Sequence, residues 1–232
     1  MKPAVTDILD LQLNDGVFIL ELLNGDADNM LNLSVLQQWH EALDQVQAHA
    51  GNGALLIHCT HPKTFCTGID LPWLFSQEQS TILEFVSQLE NLLLRLAVLD
   101  VPTVVAINGN CYAGGALLAS ACDFRFMRSD RGRFCFPEVK IEKAFTPVML
   151  QVAQLLANER AVYELSITAD AWGGEQCWQR GIIDAALPME TLLETAMGKA
   201  RGLALLHRPT FANHKRALRK GVLDTAVERG LL

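Results

Sequence analysis

Residues Ile8 to Leu13 alternate apolar and polar side chains, and Val17 to Leu23 is a second run of β-forming residues. Asn14-Asp15-Gly16 between them predicts a hairpin, because Asp-Gly accepts the left-handed backbone of a tight turn. Leu33, Leu36, Trp39, Leu43 and Val46 then recur at helical spacing, and Ala54 to Cys59 is a short buried strand, giving a β-α-β opening. Asp70 before Leu71-Pro72 predicts a helix start, since Asp caps free amides and Pro is tolerated in a first turn. A longer helix covers Glu78 to Val98 and is closed before Pro102. Thr103 to Ile107 is a buried strand, Asn108-Gly109 a turn, and Gly114 to Ala121 a helix of small residues. Further strands are expected at Phe124–Met127, Phe134–Phe136 and Ile182–Ala186. From Val148 on the pattern is mainly helical, with helices near 190–206 and 210–220. No internal repeat or low-complexity linker interrupts it, so the fold class is α/β: a core over residues 1–188 and a helical region over 189–232, packed on the core or on a neighbouring subunit.

The length of 232 residues suits one such domain. Half of the residues are hydrophobic and Gly and Pro together number 24, which excludes a disordered or fibrous chain. The net charge of −7 argues against a nucleic-acid partner except through a local basic patch. One such patch exists: Lys199, Arg201, Arg208, Lys215, Arg216, Arg219 and Lys220 share a C-terminal stretch without acidic residues from Thr195 to Leu223. The apolar stretches at 92–107 and 113–122 are interrupted by Arg95 and Asp100 or too short, so no membrane span is expected. Six cysteines in apolar surroundings without a C-x-x-C pair suit reduced thiols. Met1 to Gln12 has no leader-peptide character and the chain ends without a Ser-Lys-Leu tail, so the expected compartment is the cytoplasm.

Two glycine turns carry the candidate chemistry. Phe65-Cys66-Thr67-Gly68-Ile69-Asp70 lies between a strand and a helix, and so does Ala113-Gly114-Gly115. Glycine lets backbone approach a ligand, and a helix N-terminus adds partial positive charge. Two separate N–H donors could therefore converge on one oxygen. Glu138, after Phe136-Pro137 in an apolar stretch, is the candidate acid or base, with Glu142 as a substitute; a carboxylate in such surroundings gains a raised pKa. His58 and His61 flank Cys59-Thr60 but lack a second ligand pair, so no metal is assigned. Asp70 reads as a cap, and Tyr112 as either core or pocket lining.

With F-C-T-G-I-D-L at 65–71, N-G-N-C-Y-A-G-G-A-L-L-A-S-A-C-D at 108–123 and F-P-E at 136–138, the chain resembles the crotonase (enoyl-CoA hydratase/isomerase) superfamily over roughly residues 5–220. The resemblance implies a spiral of β-β-α units, assembled as a homotrimer or hexamer, that binds an acyl-CoA thioester. It places the oxyanion-hole amides at Ile69 and Gly114, and substrate contacts at Cys66, Thr67, Gly68, Asp70, Tyr112, Gly115 and Leu117. The C-terminal cations would serve the CoA phosphates. Hydratases of this superfamily hold water with two glutamates; here the first position is Leu117 and only Glu138 remains. One carboxylate resembles the delta-3,delta-2-enoyl-CoA isomerase branch of fatty acid beta-oxidation, which needs no metal or redox cofactor. Alternatives are another crotonase-type reaction, hydration or thioester cleavage, or a non-catalytic acyl-CoA-binding subunit.

Overall fold

The computed structural model describes residues 8–232; residues 1–7, the start of the segment considered above for a leader, lie outside the described residues. Strands β1 (Leu9–Asn14) and β2 (Val17–Leu22) form the expected hairpin. Its turn residues Asp15 and Gly16 have φ of 50° and 78°, which is why Asp-Gly stands there. Helix α1 (Leu33–Ala48) is capped by the Asn32 side chain, which accepts from Val35 N at 3.1 Å, and buries Leu36, Trp39, Leu43 and Val46.

From there the chain winds in repeated turns. Strand β3 (Ala54–Cys59) leads to β4 (Thr64–Cys66) and helices α2 (Leu71–Phe75) and α3 (Gln79–Ala97). Strand β5 (Thr103–Ile107) leads to β6 (Asn110–Tyr112) and α4 (Gly114–Ala121). Strand β7 (Phe124–Arg128) leads to β8 (Phe134–Cys135), a short 3-10 helix at Glu138–Ile141, and α5 (Pro147–Ala153). Then follow α6 (Glu159–Thr168), α7 (Gly174–Gln179), β9 (Ala185–Leu187), α8 (Met189–Ala204), α9 (Arg208–Leu218) and α10 (Lys220–Glu228). The first strand of each turn joins a six-stranded sheet, ordered β1-β2-β3-β5-β7-β9, and the second joins a three-stranded sheet, β4-β6-β8. This is the spiral of β-β-α units, and the strand-to-strand pairings from β2 to β9 are parallel.

Both faces of the large sheet are covered, so its central strands are buried throughout and mostly apolar. Ala54, Leu56, Val104 and Ala106 face α8, whose Ala196, Ala200 and Ala204 recur at helical spacing and let the helix come close. Leu55, Ile57, Val105 and Ile107 face the larger core with α1, α3 and α4. No helix among the described residues is long and apolar enough to cross a membrane.

Four expectations need correction. Strands β4 and β6 stand where only turns were expected, because three-residue strands are too short to show a period of two. The last strand lies at Ala185–Leu187, since Ile182 and Ile183 are buried in the preceding turn, where the Asp184 carboxylate accepts from Arg125 N at 2.7 Å. The helix expected near 210–220 is α9, and a further helix that was not expected, α10, follows it after Arg219. The basic stretch is divided: Lys199, Arg201, Arg216 and Lys220 are exposed, whereas Arg208 binds Asp100 at 2.9 Å, Lys215 binds Asp123 at 2.8 Å, and Arg219 donates to the carbonyls of Ala97 and Ala121 at 2.6 and 2.7 Å. These three cations fasten the C-terminal helices to the interior and are not available to phosphates.

Candidate active site

The small sheet gathers the candidate residues. Strands β4, β6 and β8 are parallel neighbours with Cys66 opposite Cys111 and Tyr112 opposite Cys135. Their C-terminal ends therefore lie side by side, where parallel strands commonly deliver ligand-binding loops. Thr67-Gly68-Ile69 leaves the first end, Ala113-Gly114 the second, and Phe136-Pro137-Glu138 the third.

In the first loop Gly68 has φ of +90°, so a side chain would be strained there. A Cβ on it would also lie 2.7 Å from Gly114 N and 2.8 Å from Ala113 Cβ, so the two glycine turns touch. Leu31 N donates to Gly68 O at 2.8 Å, and Leu31 O accepts from Asp70 N at 2.9 Å. This parallel bridge uses the residues on either side of Ile69 and leaves the Ile69 N–H directed the other way. Among the described residues it has no backbone acceptor. Asp70 caps α2, its Oδ1 accepting from Trp73 N at 3.1 Å.

In the second loop Ala113 has φ 49° and ψ −120°, a conformation costing a non-glycine residue about 1–3 kcal/mol. The strain turns the chain sharply from β6 into α4, with Ala113 N held by Cys135 O at 3.0 Å. Gly114 becomes the first residue of α4, where N–H groups have no partner within the helix. A Cβ on Gly115 would overlap the Cys66 carbonyl, so glycine is what lets α4 pack on β4. Leu117 faces the core and is 1% exposed, with its N–H bound to Ala113 O at 2.9 Å. Tyr112 is half-buried, and burial pushes its phenol pKa up.

Glu138 opens the 3-10 helix behind Pro137. Its Oε2 is buried with no hydrogen-bond partner among the described residues. Burial pushes its pKa up to about 7, opposed by a hydrogen bond from backbone. The segment is anchored by buried aromatics: Phe136 packs edge-on against Phe134 at 5.5 Å and Phe145 at 5.4 Å between ring centres. Lys140 Nζ ties back to Ala169 O at 2.7 Å. Glu142 is exposed and left-handed, φ 56°, so it does not share the buried environment of Glu138. His58 is buried in β3, while His61 Nδ1 accepts from Thr64 N at 3.2 Å and shapes the loop before β4.

Two features escaped sequence reading. Ala113 carries its strain without a glycine to announce it, and Leu31, from the loop before α1, aligns Ile69 from 38 positions away in sequence. Neither residue type signals chemistry.

The enoyl-CoA hydratase/isomerase family profile matches residues 12–230. An enoyl-CoA delta isomerase 3 of Arabidopsis thaliana is 28% identical over 199 residues, covering 82% of each chain. An apo enoyl-CoA isomerase structure from Mycobacterium tuberculosis is 25% identical, with a TM-score of 0.86 over 97% of this chain and 96% of that one. The human mitochondrial delta3-delta2-enoyl-CoA isomerase superposes with a TM-score of 0.89 over 96% of this chain and 87% of its own at 21% identity, a likeness of fold. The spiral fold and its paired glycine turns are those of the crotonase superfamily. Within it, this chain belongs to the enoyl-CoA hydratase/isomerase family, whose members act on enoyl-CoA thioesters.

Proposed function

We propose that the protein is a delta-3,delta-2-enoyl-CoA isomerase serving fatty acid oxidation. The observation that carries this reading is the pairing of Glu138, half-buried with its Oε2 enclosed and without a partner among the described residues, with Leu117 in the other position where hydratases place a glutamate. Hydration needs a water held for attack, and a leucine side chain offers it nothing. Moving a double bond needs one base beside a group that stabilises negative charge.

In this mechanism the thioester oxygen of a 3-enoyl-CoA accepts hydrogen bonds from the N–H groups of Ile69 and Gly114. Glu138 removes a proton from C2, and the electron pair delocalises into a dienolate held by those amides. Donors aimed at developing charge are worth about 2.7–4 kcal/mol each. The protonated Glu138 then delivers the proton to C4, giving the conjugated 2-enoyl-CoA and restoring the carboxylate. A carboxyl with a pKa near 7 is suited to both accepting and donating. The shift is redox-neutral and the two amides carry the developing charge, so this mechanism calls for neither a redox cofactor nor a metal. Backbone at Cys66, Thr67 and Gly68 lies along the thioester and its pantetheine arm, Asp70 holds α2 in place, and Tyr112, Gly115 and Leu117 bound the acyl side.

The assembly that fits this reading is a homotrimer or hexamer, supported by the exposed Leu150, Tyr163 and Ile167 around a groove between α5 and α6. Six free, buried thiols favour a reducing compartment such as the cytoplasm. The test is incubation with 3-enoyl-CoA thioesters of several chain lengths while following ultraviolet absorbance of the conjugated product. A rise is expected. No rise at any length, or hydration of 2-enoyl-CoA at a comparable rate, overturns the proposal.

A further inference from the structure

Between β2 and α1 the chain makes a short 3-10 helix at Gly25–Ala27, then places two successive non-glycine residues in the left-handed region, Asp28 at φ 56° and Asn29 at φ 47°. Asp and Asn tolerate this conformation better than other side chains, yet two in a row is a local cost. The segment they open, residues 28–31, bonds almost every residue of the strand and loop that end at Asp70. Thr64 Oγ1 donates to Asp28 Oδ1 at 2.7 Å, and Asn29 Nδ2 donates to Phe65 O at 2.7 Å. Cys66 Sγ donates to Asn29 O at 3.1 Å, and Thr67 N to Asp28 O at 3.1 Å. Leu31 then takes Gly68 and Asp70 through its own N–H and C=O. Ile69 alone in this run is left unbonded by the segment, with its N–H directed away from Leu31.

We infer that Asn29 is a positioning residue for the oxyanion-hole amide of Ile69, an inference that rests on the role proposed above for that amide. Asn29 is 6% exposed and its side-chain amide is spent on Phe65 O and on Cys59 Sγ, at 3.3 Å, so it joins β3 to β4 and touches no reacting atom. Its left-handed backbone presents Asp28 O to Thr67 and its own carbonyl to Cys66, fixing the strand immediately before Gly68. Displacing a donor from the developing charge by a fraction of an ångström weakens the transition state more than the ground state, so the effect belongs in kcat.

Asn29→Gly isolates the side chain, because glycine accepts φ near 47° without strain. Thr64→Val, close to isosteric, removes the bond to Asp28 and serves as a second, milder variant. Two readouts are taken on purified protein: kcat and KM with a 3-enoyl-CoA, and the thioester carbonyl stretch of a bound trans-2-enoyl-CoA by difference infrared spectroscopy. Asn29→Gly should lower kcat by about ten- to a hundredfold with little change in KM, and should reduce the carbonyl downshift seen with the unsubstituted protein. Thr64→Val should do the same to a smaller extent, and decides alone if Asn29→Gly does not fold. A merely structural asparagine would lower the melting temperature and leave the carbonyl frequency of the folded protein unmoved, which overturns the inference. Absence of any downshift in the unsubstituted protein instead overturns the oxyanion reading and, with it, this one; a downshift kept in both folded variants overturns the positioning role alone.

Discussion

Asp123 and Glu138 are both acids taken out of water, fifteen positions apart, yet the protein treats them in opposite ways. Asp123 accepts from Thr103 N at 2.8 Å, Thr103 Oγ1 at 2.9 Å, Lys215 Nζ at 2.8 Å and an Arg219 guanidinium nitrogen at 2.8 Å. Burial alone would raise its pKa, but Lys215, Arg219 and these hydrogen bonds outweigh it and hold the carboxyl below its usual range. Glu138 has burial opposed only by a backbone hydrogen bond, its Oε2 has no partner among the described residues, and its pKa goes up to about 7. A fully partnered carboxylate is a permanent ion that ties α9 and α10 to β5 and α4. An unpartnered one keeps its proton affinity near neutrality, which is what a group exchanging protons with carbon needs.

Substitution should separate the two. Glu138→Gln is expected to lower kcat/KM by about 10⁴-fold while leaving 2-enoyl-CoA binding near normal, since the oxyanion donors are backbone groups; steady-state kinetics and calorimetric titration check both. Asp123→Ala should do the reverse. It strands Lys215 and Arg219 in the interior and is expected to cost about 3–5 kcal/mol in denaturant unfolding, with kcat of the folded protein retained.

The same contrast appears in pH. If Glu138 must be ionised to take a proton, kcat/KM falls on the acid side with a midpoint near 7, about tenfold per pH unit below it. The folded pKa of Glu138 is raised above its ordinary 4.5, so the folded state binds a proton more tightly than the unfolded state. Wild-type stability from this group is therefore full below about 4.5 and lost as pH rises through about 7. Glu138→Gln should consequently gain about 1–3 kcal/mol over wild type at pH 8 and lose that advantage near pH 4.5, as read from unfolding curves at the two pH values. The smallest effect on catalysis is expected from Leu117→Glu, which adds a carboxylate at the position where hydratases carry their other glutamate. It should introduce slow hydration, seen as loss of conjugated-thioester absorbance from 2-enoyl-CoA.

Much of the fold was legible because periodicity reports burial. The nearly continuous apolar runs of β3 and β5, the stripe Leu33 to Val46 and the cap Asp70 signal their elements locally. The family was legible from spacing, since three loops at the ends of β4, β6 and β8 each carry a short motif. What stayed hidden depends on distance in the chain. Lys215 and Asp123 are 92 positions apart, so the basic stretch looked like a phosphate-binding patch although Arg208 and Lys215 within it are buried partners. Asn29 lies 36 positions from Phe65, and nothing in its neighbours says that its side chain is spent on that carbonyl. The three-residue strands β4 and β6 carry no period of their own.

The most direct measurement follows a label. A 3-enoyl-CoA deuterated at C2 is converted in ordinary water, and the product is examined by NMR for deuterium at C4. One buried carboxyl moving the proton in both steps predicts that part of the label reaches C4, and that Glu138→Gln forms no product on the same timescale. Product whose C4 hydrogen comes only from solvent, or full conversion by Glu138→Gln, would contradict the account.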